Sequence, residues 1–318
     1  MLHHFFLLAL GIVLVNYGAK YLVSGASSVA KRFKVSDLAI GLTIVAFGTS
    51  APELVVSVVA AKSGQADVAI GNVVGSNLVN ICLILGFSAI LAPLRIHSST
   101  VWKEIPFSLM GIIVAFLVAN DILIDNDAPS VISRSDGLVL LCFLFIYLYY
   151  MFEMALENPV VDNSDSPQVA VWLAVAMVVG GVVALAIGGD VFVESAVEIA
   201  RWLGVSEAVI GLTLVSIGTS VPELATSIVA ARRGNADLVV GNVVGSNIFN
   251  VFMILGVSAA IAPLPLAGIT ATDFGTCVFA TVLLFVFCLK KPRVIFRWKG
   301  IVFLLIYATY ISYLLANM

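Results

Sequence analysis

Residues 41–86 read GLTIVAFGTSAPELVVSVVAAKSGQADVAIGNVVGSNLVNICLILG, and residues 211–256 read GLTLVSIGTSVPELATSIVAARRGNADLVVGNVVGSNIFNVFMILG. When residue 41 is aligned with residue 211, 28 of the 46 positions are identical. The same register pairs Gly18 with Gly188 and Pro93 with Pro263, outside this stretch. A match of this length predicts that the chain contains a duplicated unit.

The composition is typical of a membrane protein. Hydrophobic residues make up 61% of the 318 residues and charged residues only 11%, too few to cover the surface of a soluble protein of this size. No basic cluster is interleaved with aromatic residues, so we expect no nucleic-acid partner. The four cysteines and three histidines show no spacing typical of a metal site or a disulfide framework, and we expect neither a cofactor nor an enzyme active site.

Ten apolar stretches are long enough to cross a bilayer as helices. They lie near residues 4–29, 38–61, 68–92, 104–120, 137–156, 169–194, 208–231, 238–262, 272–289 and 300–316. We therefore predict an all-α integral membrane protein with a first repeat over 1–156, a polar linker over 157–168 and a second repeat over 169–318. Because each repeat has five spans, an odd number, the second must be inverted in the membrane, a recurring plan of secondary transporters.

Basic residues in the loops predict the sidedness. With successive loops assigned to alternate faces, one face carries twelve Lys and Arg residues and the other only Lys62, Arg134 and Arg201. The positive-inside rule assigns the basic face to the cytoplasm. We therefore expect a multi-pass protein of the cell (plasma or inner) membrane, with both termini and the loop near 121–127 outside and the linker in the cytoplasm.

The repeated heptapeptide, GTSAPEL (48–54) and GTSVPEL (218–224), places Glu53 and Glu223 in apolar helices, at a cost of about 2.5–3.5 kcal/mol each on insertion scales. One interpretation is local: the Gly ends a helix, and Ser-x-x-Glu restarts it as a capping box with Pro in the first turn. A helix break needs no carboxylate, however, and broken helices at the membrane midplane expose carbonyls that bind ions. The motif therefore favours an ion site.

A second repeated stretch supplies more oxygen atoms. GNVVGSNLVN (71–80) and GNVVGSNIFN (241–250) each begin with a Gly-Asn pair that we expect to break the helix. Small residues at this spacing also serve close helix packing, but packing does not explain the amide at the end of each stretch. Carboxylates, amides and hydroxyls without nitrogen or sulfur ligands suit calcium, which takes six to eight oxygens, and sodium accepts the same atoms.

At these residues the chain resembles the calcium/cation antiporter superfamily, specifically its sodium/calcium exchanger branch of prokaryotic type. The paired motifs are similar to that family's two alpha-repeats, alpha-1 over 41–86 and alpha-2 over 211–256. With the flanking helices, the resemblance covers nearly the whole chain. It implies ten helices in two inverted halves, with the first and sixth helices sliding to alternate the access to one central site.

The resemblance also implies the ion ligands. The acidic ligands fall on Glu53 and Glu223, and the amide position falls on Asn80, with Asn250 as its symmetry mate. The hydroxyl and carbonyl ligands fall on Thr49, Ser50, Ser76, Thr219, Ser220, Ser246 and the backbones of Ala46 and Ser216.

These residues predict a secondary antiporter whose partners are calcium ions, sodium ions and the lipid bilayer. Potassium-dependent branches look to have Asp where this chain has Asn250, so potassium co-transport is not expected. Proton-coupled relatives usually carry GN-x-x-E in place of GTS-x-PE, which favours sodium. A proton-coupled calcium or cation antiporter is the main alternative, because a buried Glu can also carry a proton. A channel and an intramembrane enzyme are weaker rivals.

Overall fold

The computed structural model describes residues 2–121, 130–157, 169–204 and 216–316. The predicted linker lies almost entirely outside these residues, as does most of the predicted outer loop near 121–127. The described helices are α1 (Leu2–Phe33), α2 (Asp37–Thr49), α3 (Ala51–Lys62), α4 (Ala66–Leu91), α5 (Thr100–Ala119), α6 (Arg134–Glu157), α7 (Val171–Trp202), α8 (Ser216–Gly218), α9 (Val221–Arg232), α10 (Ala236–Ile261), α11 (Ala271–Leu289) and α12 (Arg297–Ala316).

The all-α membrane fold is confirmed. Among the described residues, eight helices are long and apolar enough to cross a bilayer, and α2 with α3 makes a ninth as a bent pair. These nine correspond to nine of the predicted spans. The remaining one, predicted over 208–231, is described only from Ser216 onward, as α8 and α9.

Two short strand pairs show which loops share a face of the membrane. Strand β1 (Leu94–Arg95) pairs antiparallel with β4 (Val294–Ile295). Strand β2 (Val131–Ile132) pairs antiparallel with β3 (Leu264–Pro265). Alternate threading assigns the first two loops to the basic face and the other two to the opposite face, so each pair joins loops of one face. This pattern fits two inverted halves.

The helices of the two repeated stretches lie at the centre of the bundle. Within an apolar 18-residue segment of each helix, all of the residues of α10 and 78% of those of α4 are buried inside the protein. The corresponding shares are 17% for α12 and 22% for α6. The outer helices thus present apolar side chains to lipid. The central pair carries the serine and asparagine side chains of the second motif.

Helices α1 and α7 pack against each other through glycines. A Cβ atom on Gly181 would lie 2.6 Å from the backbone nitrogen of Leu22, and one on Gly18 would lie 2.9 Å from that of Leu185. Small residues let helix backbones approach this closely in a membrane. The pair contacts the heptapeptides as well, since a Cβ on Gly48 would lie 2.7 Å from Cγ2 of Val182.

Candidate functional site

The predicted helix break is present in both repeats. Helices α2 and α3 are bent by 46° at Ser50, whose φ and ψ are −84° and 6°. Ser220 has nearly the same backbone angles, −89° and 7°, between α8 and α9. Pro52 and Pro222 fall in the first turn of the helix that follows, where the missing N–H costs nothing. The twice-written sequence therefore forms the same bend twice.

The serine of each heptapeptide does not cap its own helix, so the capping box of the local interpretation is wrong, although the helix break and the Pro in the first turn are present. Neither serine makes a side-chain cap on its own helix. Ser50 instead donates a hydrogen bond of 2.9 Å to Oε1 of Glu223, and Ser220 donates one of 3.4 Å to Oε1 of Glu53. Ser220 Oγ also lies 3.3 Å from Ser76 Oγ. The side chains pair across the two repeats, which brings both carboxylates into one site.

An asparagine that the sequence interpretation did not assign to the site fixes each bend. Asn72 donates from Nδ2 to the carbonyl oxygen of Glu53 at 3.2 Å and to Ser57 Oγ at 2.9 Å, and it accepts from Thr219 Oγ1 at 3.3 Å. The second repeat repeats these contacts, from Asn242 to Glu223 and Ser227 at 3.3 and 3.1 Å and from Thr49 to Asn242 at 3.2 Å.

The prediction that Gly-Asn breaks the helix is wrong, since Gly71-Asn72 and Gly241-Asn242 lie inside continuous α4 and α10. The asparagine side chain bonds a neighbouring helix and leaves its own backbone helical. Recurrence of the Asn at the same place in both repeats was the one signal that pointed to this role.

Four asparagine side chains form a symmetric cluster between α4 and α10. Asn80 donates from Nδ2 to Oδ1 of Asn247 at 2.9 Å, and Asn250 donates to Oδ1 of Asn77 at 3.0 Å. Asn77 and Asn247 each donate to the other's backbone carbonyl at 3.4 Å. These bonds orient the amides of Asn80 and Asn250 so that the Oδ1 atom of each has no hydrogen-bond partner among the described residues.

Several buried oxygen atoms of the described residues have no hydrogen-bond partner, and five of them belong to predicted ligands. They are Oε2 of Glu53, Oε2 of Glu223, Oδ1 of Asn80, Oδ1 of Asn250 and Oγ of Ser246. Both glutamates and both asparagines are only 1% exposed. Buried polar atoms are nearly always satisfied in proteins, so a matched set of unsatisfied acceptors is a reason to expect a cation between them.

The two predicted backbone ligands differ. The carbonyl oxygen of Ala46 accepts the N–H of Ser50 at 3.0 Å, whereas the N–H of Ser220 donates to the carbonyl oxygen of Ile217 at 3.0 Å. The remaining predicted ligands, the Thr49 and Thr219 hydroxyls, point at the asparagines described above. No group of three or more His, Cys, Asp and Glu side chains with metal-binding geometry occurs in the described part of the chain. The candidate site is thus built from two carboxylates with neutral oxygens.

The two repeats differ in their access to solvent. A cavity of about 460 Å³ reaches from the less basic face, at Asp67 in the first turn of α4 and Gly268 in a loop, to Asn72, Ser76 and Thr219. The equivalent residues of the other repeat are shielded from solvent: Thr49, which corresponds to Thr219, is 1% exposed, and Asn242, which corresponds to Asn72, is fully buried. On that side α10 packs directly on α2. Among the described residues, the site is therefore lined by a cavity on one side and is closely packed on the other.

Three other acidic residues in the spans lie elsewhere. Asp190 and Glu194 are exposed on α7. Glu104 is fully buried and accepts a hydrogen bond from the hydroxyl of Tyr150. None of the three forms a described hydrogen bond to the heptapeptides.

Comparisons with known proteins identify the family of the chain. The family model described as "Sodium/calcium exchanger protein" matches residues 3–153 and 173–316. The putative antiporter CaxA of Alkalimonas amylolytica is 36% identical over 315 residues, 96% of each chain. The sodium/calcium exchanger MaX1 of Methanosarcina acetivorans is 32% identical over 340 aligned positions, 97% of each. A solved structure of the sodium-calcium exchanger NCX_Mj, soaked with sodium and calcium, superposes with a TM-score of 0.82 at 33% identity over 98% of both chains. This chain belongs to the sodium/calcium exchanger family.

Proposed function

We propose that this protein is a secondary active antiporter that exchanges calcium for sodium at one shared site in the middle of the membrane. The observation that carries the proposal is the matched set of buried, unpartnered oxygens on Glu53, Glu223, Asn80 and Asn250. Each repeat contributes one carboxylate and one amide oxygen. The family supports cation exchange, and the names of the relatives supply sodium and calcium as the ions to test first.

The charge and chemistry of this set suit both ions. Two carboxylates balance one calcium ion, or share two or more sodium ions. Carboxylate, amide and hydroxyl oxygens are the ligands that calcium prefers, and a flexible cage of six to eight is within reach of the predicted ligands. Sodium uses the same atoms. A site that holds either ion but not both together is the requirement for exchange by competition.

The unequal exposure of the two repeats supports alternating access. Thr219 and Asn72 line the open cavity, while Thr49 and Asn242 are buried. Because 28 of 46 positions are identical between the two repeated stretches, the opposite arrangement, with Thr49 and Asn242 exposed, is the second state that we propose. In our proposal the bound ion crosses the membrane when the exposed repeat becomes buried and the buried repeat becomes exposed, so that the site opens to the opposite face. The positive-inside rule makes the open face extracytoplasmic.

The deciding experiment is calcium-45 uptake into proteoliposomes loaded with sodium, compared with potassium- or choline-loaded vesicles at fixed pH. The same assay uses Glu53→Gln and Glu223→Gln, with Glu194→Gln on exposed α7 as the matched control. We expect uptake that requires internal sodium, is lost in both site variants and is retained in the control.

Other outcomes assign a different function. Uptake that ignores sodium but follows a pH gradient means proton coupling. Ion flux without counter-transport means a channel. No uptake under either gradient, from protein that remains monodisperse and folded, means that calcium is the wrong substrate.

A further inference from the structure

A groove on the basic face lies where β1 and β4 pair. It has a volume of about 850 Å³ and is lined by Pro93, Arg95, Ile96, Lys291, Arg293 and Phe296, among others. The loops that form it are tied together by the strand pair and by a hydrogen bond of 2.9 Å from Ile96 N to the carbonyl of Arg293. Three cationic side chains therefore share one groove with a fixed backbone, remote from the heptapeptides in sequence.

No described acidic residue neutralises the positive charge of this groove. Residues 93–96 and 290–299 contain no acidic residue, and none of Arg95, Lys291 and Arg293 forms an ion pair with a described residue. The Nε atom of Arg293 is buried and has no hydrogen-bond partner among the described residues. A buried guanidinium N–H without an acceptor is costly, so the groove calls for an acceptor that the described residues do not supply.

The inverted repeat provides an internal comparison. Strands β2 and β3 form the same kind of pair on the opposite face, and Pro265 occupies the position that corresponds to Arg95. Residues 130–133 and 262–266, which build that pair, contain no Lys or Arg. The strand pair therefore forms without cations, and the charges around β1 and β4 are not required to hold it.

The flanking aromatic residues indicate the depth of the groove in the membrane. Phe296, Trp298 and Trp102 are 41%, 55% and 57% exposed. Exposed Trp and other aromatic side chains collect at the level of the lipid headgroups. Lys299 adds positive charge nearby, held by hydrogen bonds from Nζ to the carbonyls of Phe287 and Val294 at 2.6 and 2.9 Å. The groove thus lies where a phospholipid presents its phosphate.

We propose that this groove, formed by Arg95, Lys291 and Arg293, is a binding site for the phosphate headgroup of an anionic phospholipid. Arginine binds phosphate through two parallel N–H groups, and lysine adds a point charge. Basic pockets between transmembrane helices on the cytoplasmic side are suited to anionic lipid headgroups. The zwitterionic headgroup of phosphatidylcholine presents a cation beside its phosphate and is a poorer match.

The test is lipid retention by the delipidated, full-length protein in detergent, measured by native mass spectrometry. Dioleoyl phosphatidylglycerol is titrated against dioleoyl phosphatidylcholine. We expect selective phosphatidylglycerol adducts that weaken about tenfold in Arg95→Gln/Lys291→Gln/Arg293→Gln. A variant with Arg95→Lys/Arg293→Lys keeps the charge and retains most of the binding. The matched control, Lys34→Gln/Lys103→Gln/Arg232→Gln, removes three exposed basic residues of the same face outside the groove and binds like the wild type.

Thermal unfolding gives a second readout that does not depend on transport. Phosphatidylglycerol raises the unfolding temperature of the wild type and of the control, but not that of the triple Gln variant. Equal adducts in the triple variant and the wild type would overturn the proposal. So would equal weakening in the control, which would mean general attraction to a basic face. If the triple variant does not fold, the single change Lys291→Gln is compared with Lys34→Gln, both at exposed residues, and equal phosphatidylglycerol adducts in the two would overturn the proposal.

Discussion

Ser50 and Glu223 belong to different repeats and are joined by a hydrogen bond of 2.9 Å between the serine hydroxyl and Oε1. The twofold-related bond joins Ser220 to Glu53 at 3.4 Å. Each repeat therefore orients the other's carboxylate, with Oε2 left free in both cases. This exchange of partners makes the site a property of the assembled pair of repeats.

We expect Ser50→Ala to raise the KM for calcium about tenfold, a loss of about 1.4 kcal/mol. The change removes one oxygen and leaves the Glu223 carboxylate free to rotate, and hydrogen bonds to charged groups are worth about 1.5–3 kcal/mol. Ser220→Ala should cost less, because its bond to Glu53 is longer. The measurement is sodium-dependent calcium uptake against calcium concentration. Ser258→Ala, a buried serine without a partner, is the control; a KM for Ser50→Ala equal to that of the control would contradict this role.

Asn77 is expected to act as a positioning residue for Asn250. Its Oδ1 accepts the bond from Asn250 Nδ2 and so directs Asn250 Oδ1 into the site. Asn77→Ala should raise the KM for calcium, and Asn77→Ala/Asn250→Ala should be no worse than Asn250→Ala alone. A double-mutant cycle on KM should thus give a coupling energy of about 1 kcal/mol. Additive effects of the two changes would mean that Asn77 acts independently of Asn250.

Gly75 and Gly245 occupy equivalent positions but have different surroundings. A Cβ on Gly245 would lie 2.8 Å from Ala46 Cβ and from the Leu42 carbonyl oxygen, whereas one on Gly75 would meet no atom of the described residues within 4 Å. We expect Gly245→Ala to lower the free energy of unfolding by about 1–3 kcal/mol through overpacking. Gly75→Ala should leave it unchanged yet abolish exchange, because the twofold-related state would bring α4 as close to its neighbour as α10 is to α2.

Thermal unfolding and calcium uptake, measured on the same preparations, separate these two effects. Gly180→Ala is the control, since a Cβ there also meets nothing within 4 Å. Exchange at the wild-type rate in Gly75→Ala would show that the protein does not visit the twofold-related state.

The spans and the bend at each heptapeptide were predictable because they depend on local properties, namely hydrophobic length and the Gly, Ser and Pro residues around Ser50. The pairing of Ser50 with Glu223 was not predictable, because the spacing of Ser and Glu along one helix is equally consistent with a local capping box. The role of Asn72 was missed for the same reason. The difference between the surroundings of Gly75 and of Gly245 could not be predicted, because the similar sequences of the two repeats do not indicate which side of the site is open.

A disulfide between α7 and the first heptapeptide should stop transport reversibly. An ideal Cβ at Gly48 lies 3.9 Å from Cβ of Val182, within the usual range for a disulfide. If α1 and α7 slide past the central helices, Gly48→Cys/Val182→Cys should lose calcium uptake on oxidation and regain it on reduction. The exposed Cys142 is first replaced by Ser, while the other three native cysteines are buried. Each single cysteine variant, oxidised in the same way, should be unaffected. Full cross-linking with undiminished uptake would mean that α7 does not move relative to Gly48 during exchange.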